Sequence, residues 1–172
     1  MRIYLIGYMG SGKSSRGAEL AKKLDYTFID LDEMIEKDNK ISIPTIFKTK
    51  GENVFREMEQ EALRKTFKKK NIVVATGGGT PCFFDNLAEM RENGTTIYIQ
   101  ASIGLLFHRL AASKTERPML KDFKDVELVL QIKDQMAYRE RFYEKANYII
   151  DAEDLKANDL VKLLANELKK EQ

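Results

Sequence analysis

The sequence predicts an α/β fold built on a parallel sheet, and three observations carry that expectation. Short apolar runs recur at 3–6, 27–29, 72–75, 96–99 and 148–150, and longer segments with helical periodicity separate them. Strands that alternate with helices run parallel, because a crossover is needed to bring the chain back to the same sheet in the same direction. The third observation is a glycine-rich loop, Gly7-Tyr8-Met9-Gly10-Ser11-Gly12-Lys13-Ser14, lying between the first apolar run and the first helical segment. The 172 residues suffice for one domain with a single substantial core, and no Pro/Gly/Ser-rich linker divides them.

Taken in order, the first run Ile3-Tyr4-Leu5-Ile6 is a strand that delivers the chain into the loop. Glycines there let consecutive N–H groups turn inward onto phosphate oxygens, and the following helix adds the positive end of its dipole. Gly10, Ser11, Gly12, Lys13, Ser14 and Ser15 are the candidate phosphate contacts. Lys13 has the reach for the β- and γ-phosphates, and the Ser14 hydroxyl is a hard oxygen ligand suited to Mg²⁺. In the helix that follows, Gly17, Leu20, Ala21 and Leu24 share one face, which is the face for the sheet.

The second run ends in Phe28-Ile29-Asp30-Leu31-Asp32. If extended geometry persists, both carboxylates point to the same side, Asp30 toward a metal and Asp32 toward a hydroxyl acceptor. The competing use is an Asp that caps a short helix over 33–38. After Gly51, a stripe of Phe55, Met58, Ala62 and Leu63 predicts another amphipathic helix, with Arg56 beside Phe55 and the cluster Lys68-Lys69-Lys70 closing its end. The third run leads into Thr76-Gly77-Gly78-Gly79-Thr80-Pro81, a bare backbone just beyond a strand's carboxyl end, where α/β folds bind ligands. A polar stretch over about 112–124, containing Arg117-Pro118, reads as a lid between two helices. In the long helix beyond it, Ile132, Met136, Arg139 and Tyr143 fall on one face, so Arg139 sits among apolar neighbours. With Arg56 it makes two guanidinium forks able to clamp a carboxylate. Leu160, Leu163, Leu164 and Leu168 form a last helix against the sheet.

Composition narrows the partners. Basic and acidic residues are nearly balanced, 29 against 27, so composition alone gives no nucleic-acid footprint. No stretch approaches the length of a membrane span, and the apolar start is too short for a secretion signal. Lone Cys82 excludes an intramolecular disulfide, and His108 has neither a nucleophile nor metal-ligand spacing near it. A cytoplasmic monomer acting on a small molecule is the expectation.

Together these segments resemble the shikimate kinase family over essentially the whole chain. The matching pieces are the phosphate loop, Phe28-Ile29-Asp30-Leu31-Asp32, Gly51-Glu52 with Phe55-Arg56, Thr76-Gly77-Gly78-Gly79, Arg117-Pro118-Met119-Leu120 and Arg139 with Tyr143. The resemblance implies a three-layer P-loop kinase of the nucleoside-monophosphate-kinase type, its five parallel strands in order 2-3-1-4-5. It implies transfer of phosphate from MgATP to the 3-hydroxyl of shikimate. On that likeness Asp32, Arg56, Gly78, Gly79 and Arg139 hold shikimate within an acceptor region of about 32–60. Phe47, Phe55 and Glu59 complete its wall and support it. Lys13 and Arg117 neutralise the moving phosphoryl group, Ser14 and Asp30 serve Mg²⁺, and Arg109 stacks on adenine. Tyr8-Met9, Met119 and the segment from Asp151 to Leu155 depart from the family's usual residues. A kinase for another polyol acid such as gluconate, and a nucleotide-dependent switch, are the rival readings.

Overall fold

A computed structural model of the chain describes residues 1–112, 125–153 and 155–168. Five strands form one parallel sheet: β1 (Arg2–Ile6), β2 (Thr27–Asp30), β3 (Ile72–Ala75), β4 (Thr95–Gln100) and β5 (Tyr148–Asp151), in order β2-β3-β1-β4-β5. Every adjacent pair is parallel. The three inner strands are near-continuous apolar runs buried on both faces, as a parallel sheet covered by helices demands.

Among the described residues seven helices flank the sheet: α1 (Lys13–Leu24), α2 (Leu31–Asn39), α3 (Ile43–Thr66), α4 (Asn86–Asn93), α5 (Ile103–Ala111), α6 (Asp125–Tyr143) and α7 (Ala157–Leu168). Helix α1 packs on β2 and β3 and against α7, α2 on α3, and α5 on α6. Gly17 lets α1 approach closely, because a methyl there would come within 2.7 Å of the Phe28 ring and 3.1 Å of Leu5. Leu160 and Leu164 of α7 are fully buried, and Leu163 and Leu168 pack on the core's margin. Helix α4 and the 3₁₀ turn Thr80–Cys82 were not visible as periodicity. The lysines 68–70 stand just beyond the end of α3, whose last turn carries Arg64 and Lys65 instead. His108 is exposed and Cys82 buried.

Strand order decides where chemistry can occur. The chain leaves β1 for β2 and β3 on one side, then crosses to β4 and β5 on the other, so a crevice opens beyond the carboxyl ends at β1. Leu5 of β1 pairs with Ala75 of β3, which pairs with Asp30 of β2. The phosphate loop, the triple glycine and the Asp30–Asp32 segment therefore emerge side by side. Among the described residues no helix is long and apolar enough to cross a membrane. The sequence-based lid falls almost entirely on 113–124 and, with Arg117, lies outside the described residues.

Candidate active site

A cavity of about 490 Å³ occupies that crevice. Gly10, Ser11, Gly12, Lys13, Ser14 and Ser15 line one wall, Asp30 and Asp32 a second, Gly77 and Gly78 a third, and Arg109 with Ala152 and Leu155 the mouth. The loop's shape depends on Gly10 and Gly12, whose φ of 83° and 103° lie in the left-handed region that a side chain resists. Lys13 is 7% exposed, and its ammonium donates to the carbonyls of Gly7 at 2.8 Å and Tyr8 at 2.9 Å. Arg109 donates through Nη1 to the carbonyls of Gly10 and Ser11, each at 3.1 Å, bracing the loop.

The paired acids are not arranged as extended geometry predicts. Asp30 ends β2, but Asp32 already belongs to the first turn of α2, so the two carboxylates do not repeat along a strand. Asp30 is itself the cap: its Oδ1 accepts from the Asp32 N–H at 3.1 Å. Its other oxygen accepts from Ser14 Oγ at 2.6 Å. The helix thus starts two residues earlier than the sequence suggests, because Asp30 can satisfy an orphan N–H of its first turn. Both acids still face the cavity.

Around the triple glycine the packing is selective. None of Gly77, Gly78 and Gly79 has positive φ, so what matters is their missing side chain. A Cβ on Gly77 would meet Glu59 Oε1 at 2.6 Å and Asp32 Oδ1 at 3.1 Å. One on Gly78 would lie 3.3 Å from Arg139 Nη1, and one on Gly79 only 2.5 Å from Arg56 Nη1. Helices α2, α3 and α6 therefore deliver two acids and two arginines onto one bare turn next to the phosphate loop.

Arg56 is nearly buried, and burial alone would lower its pKa. Glu59 beside it, followed by Glu52, more than offsets that and holds the guanidinium above its ordinary value. Glu59, with no exposure, accepts from Arg56 Nη1 at 2.9 Å and from Thr80 Oγ1 at 2.5 Å. Glu52 Oε1 accepts from Nε at 3.2 Å and Nη2 at 2.9 Å. The guanidinium also lies 4.1 Å from the Phe83 ring centre and 5.1 Å from that of Phe55, which stacks with Phe47 at 4.7 Å. Arg139 occupies the apolar face its spacing predicts, with Ile132, Met136 and Tyr143 all buried around it. Its Nη1 is buried with no hydrogen-bond partner among the described residues. A charged donor in that state awaits an acceptor, since leaving it bare is costly. Tyr143 fixes the turn itself by donating to the Gly78 carbonyl.

Sequence reasoning missed Glu52, Thr80 and Phe83. Glu52 stands four residues before Arg56, the spacing that brings helical side chains together, and could have been found. Thr80 and Phe83 give no local signal, because only tertiary packing sets them against α3.

The donor set suits a hard cation. Ser14 and Asp30 offer oxygen only, and no cluster of three or more acids, histidines or cysteines exists among the described residues. A divalent ion here must complete its shell with water and phosphate oxygens, as Mg²⁺ does.

The comparisons with known proteins agree with this geometry. The shikimate kinase family model matches residues 9–169. A shikimate kinase of Azobacteroides pseudotrichonymphae is 43% identical over 95% of this chain and 96% of its own. The crystal structure of Bacteroides thetaiotaomicron shikimate kinase superposes with a TM-score of 0.92 at 38% identity, covering 96% of this chain and 98% of that one. Acinetobacter baumannii shikimate kinase in complex with shikimate does so at 0.87 and 30% identity, covering 99% and 94%. A phosphate loop beside an acid and two arginines gathered on bare glycines, in a chain matched end to end by these relatives, leaves one assignment: the protein belongs to the shikimate kinase family.

Proposed function

We propose that the protein transfers the γ-phosphate of ATP to the 3-hydroxyl of shikimate, releasing ADP and shikimate 3-phosphate. The observation that carries this is the convergence of Asp32, Arg56 and Arg139 on Gly77, Gly78 and Gly79, a cluster of which Asp32, Gly77 and Gly78 line the same cavity as the phosphate loop.

Phosphoryl transfer asks little covalent help of a protein, so the chain's work is positioning and charge. The loop N–H groups from Gly10 to Ser15 cradle the phosphates. Lys13 exchanges the carbonyls of Gly7 and Tyr8 for phosphate oxygens, whose full negative charge is the stronger partner. Arg56 and Arg139 bind the acceptor's carboxylate, and the bare Gly78–Gly79 backbone lets its ring approach. Phe47 and Phe55 wall the acceptor region over 32–60, and Glu59 holds Arg56 in place. Asp32 accepts the proton of the attacking hydroxyl as the oxygen bonds to phosphorus and the bond to the leaving ADP oxygen breaks. Ser14, with Asp30 acting through water, would hold Mg²⁺, which when bound neutralises phosphate charge. Arg117, within the lid assigned to 112–124, is given the same charge-neutralising part from the sequence alone. Arg109 stacks on the adenine in this reading, and the apolar Ala152 and Leu155, which line the same cavity, offer it further surface. We place the protein in the cytoplasm as a monomer, one domain throughout, with no nucleic-acid or membrane partner.

A coupled assay of ADP release tests the reading. ADP formation should depend on shikimate and should not respond to gluconate or nucleoside monophosphates. Equal ADP formation with and without shikimate would overturn it.

A further inference from the structure

Arg139 has a neighbour that the mechanism above does not use. Tyr8, inside the phosphate loop, is 1% exposed and presents its ring to the guanidinium, whose Cζ is 5.3 Å from the ring centre. The phenolic hydroxyl donates to Gln135 Oε1 at 2.9 Å. Gln135 precedes Arg139 by four residues on α6, so the two side chains rise from one face of the helix. The Tyr8 main chain is pinned as well, its carbonyl accepting from Ser11 N at 3.1 Å, a bond that does not depend on Lys13. The ring is thus held at its root by the loop and at its tip by the helix that carries the arginine. An arginine has several rotatable bonds and loses much rotamer freedom when it must meet a planar carboxylate with two parallel bonds. A fixed aromatic face beside the guanidinium removes part of that freedom in advance. Burial pushes the Tyr8 hydroxyl up to about 12, so it stays a donor to Gln135 at any working pH. Phenylalanine would supply the ring without the tether, and leucine neither.

We propose that Tyr8 is a positioning residue for the reaction: its ring, tethered through its hydroxyl to Gln135, sets the orientation in which Arg139 receives the acceptor's carboxylate. The proposal rests on the shikimate-binding role given to Arg139 above.

Steady-state kinetics test it on the full-length wild type, Tyr8→Leu, Tyr8→Phe, Gln135→Leu and the Tyr8→Phe/Gln135→Leu double variant. Loss of the cation–π platform should raise the KM for shikimate about 10-fold in Tyr8→Leu, with kcat and the KM for ATP within about twofold of wild type. Loss of the tether should raise it about threefold in Tyr8→Phe and in Gln135→Leu, and the double variant should be no worse than either single. An unchanged shikimate KM in Tyr8→Leu overturns the proposal. So does an equal rise in the KM for ATP, which marks a damaged loop rather than a misplaced arginine, and so does an additive double variant. If Tyr8→Leu does not fold, Tyr8→Phe and Gln135→Leu decide by the same criteria. Wild-type protein that releases no ADP in response to shikimate refutes the functional reading instead, separately from these ratios.

Discussion

Gly79→Ala is the most direct perturbation of the proposed acceptor site. Gly79 has φ −87° and ψ −19°, a conformation any residue adopts, so the substitution introduces no backbone strain. What it introduces is a methyl 2.5 Å from Arg56 Nη1, 2.8 Å from Nη2 and 2.9 Å from Cζ. The whole end of the guanidinium must therefore retreat by roughly 0.9 Å to reach ordinary contact at 3.4 Å. It has nowhere cheap to go. Glu59 holds Nη1 at 2.9 Å, Glu52 holds Nη2 at 2.9 Å and Phe83 lies 4.1 Å from Cζ. A displacement near 1 Å at a carboxylate clamp costs on the order of 100-fold, which is about 2.7 kcal/mol of transition-state stabilisation. The coupled ADP assay should show that loss in kcat/KM for shikimate, with the KM for ATP within about twofold because the phosphate loop is untouched. Overpacking should also lower stability by about 1–3 kcal/mol in denaturant unfolding. Gly104→Ala is the control, since a Cβ there meets nothing within 4 Å, and both quantities should stay near wild type. A Gly79→Ala enzyme within about threefold of wild type for shikimate would show that Arg56 does not need its observed place, and the reasoning fails.

Asp32→Asn removes the proposed proton acceptor and keeps the shape, so kcat should fall about 10²–10⁴-fold while calorimetry finds ATP affinity unchanged; lost ATP affinity would contradict the division between Asp32 and the loop. Glu59→Ala strands two buried donors, Arg56 Nη1 and Thr80 Oγ1, and should cost about 3–5 kcal/mol in denaturant unfolding, against which a change under about 1 kcal/mol would count decisively. Burial pushes the Cys82 thiol from 9.0 to about 11, so its contribution to stability is complete below pH 9 and is lost as pH climbs through 11. Cys82→Ala should therefore lose less stability than wild type between those two pH values, by about 2 kcal/mol, and identical alkaline profiles would refute the assignment.

What could be read from the chain and what could not divide along a physical line. The strands were legible because a parallel sheet buried on both faces needs unbroken apolar runs, and β3, predicted at 72–75, occupies Ile72–Ala75. The face of α6 was legible for the same local reason: Ile132, Met136, Arg139 and Tyr143 all point inward at helical spacing. Asp30 and Asp32 were legible as a pair but not in their geometry, since two local rules competed there and the cap on α2 prevailed over strand continuity. The triple glycine shows the limit most clearly. From sequence it is bare backbone at a strand's carboxyl end, more glycine than a flexible turn needs, with nothing to say what fills the space. Its meaning comes from volumes that Asp32, Glu59, Arg139 and Arg56 take up, and those arrive from α2, α3 and α6 at angles no window of residues encodes. Glycine there is selected by its neighbours' reach rather than by its own φ. A specific consequence follows: a side chain at position 77 or 79 requires Glu59 or Arg56 to move, whereas one at position 78 meets the Met9 main-chain N at 3.2 Å first, so there the phosphate loop itself must shift along with Arg139.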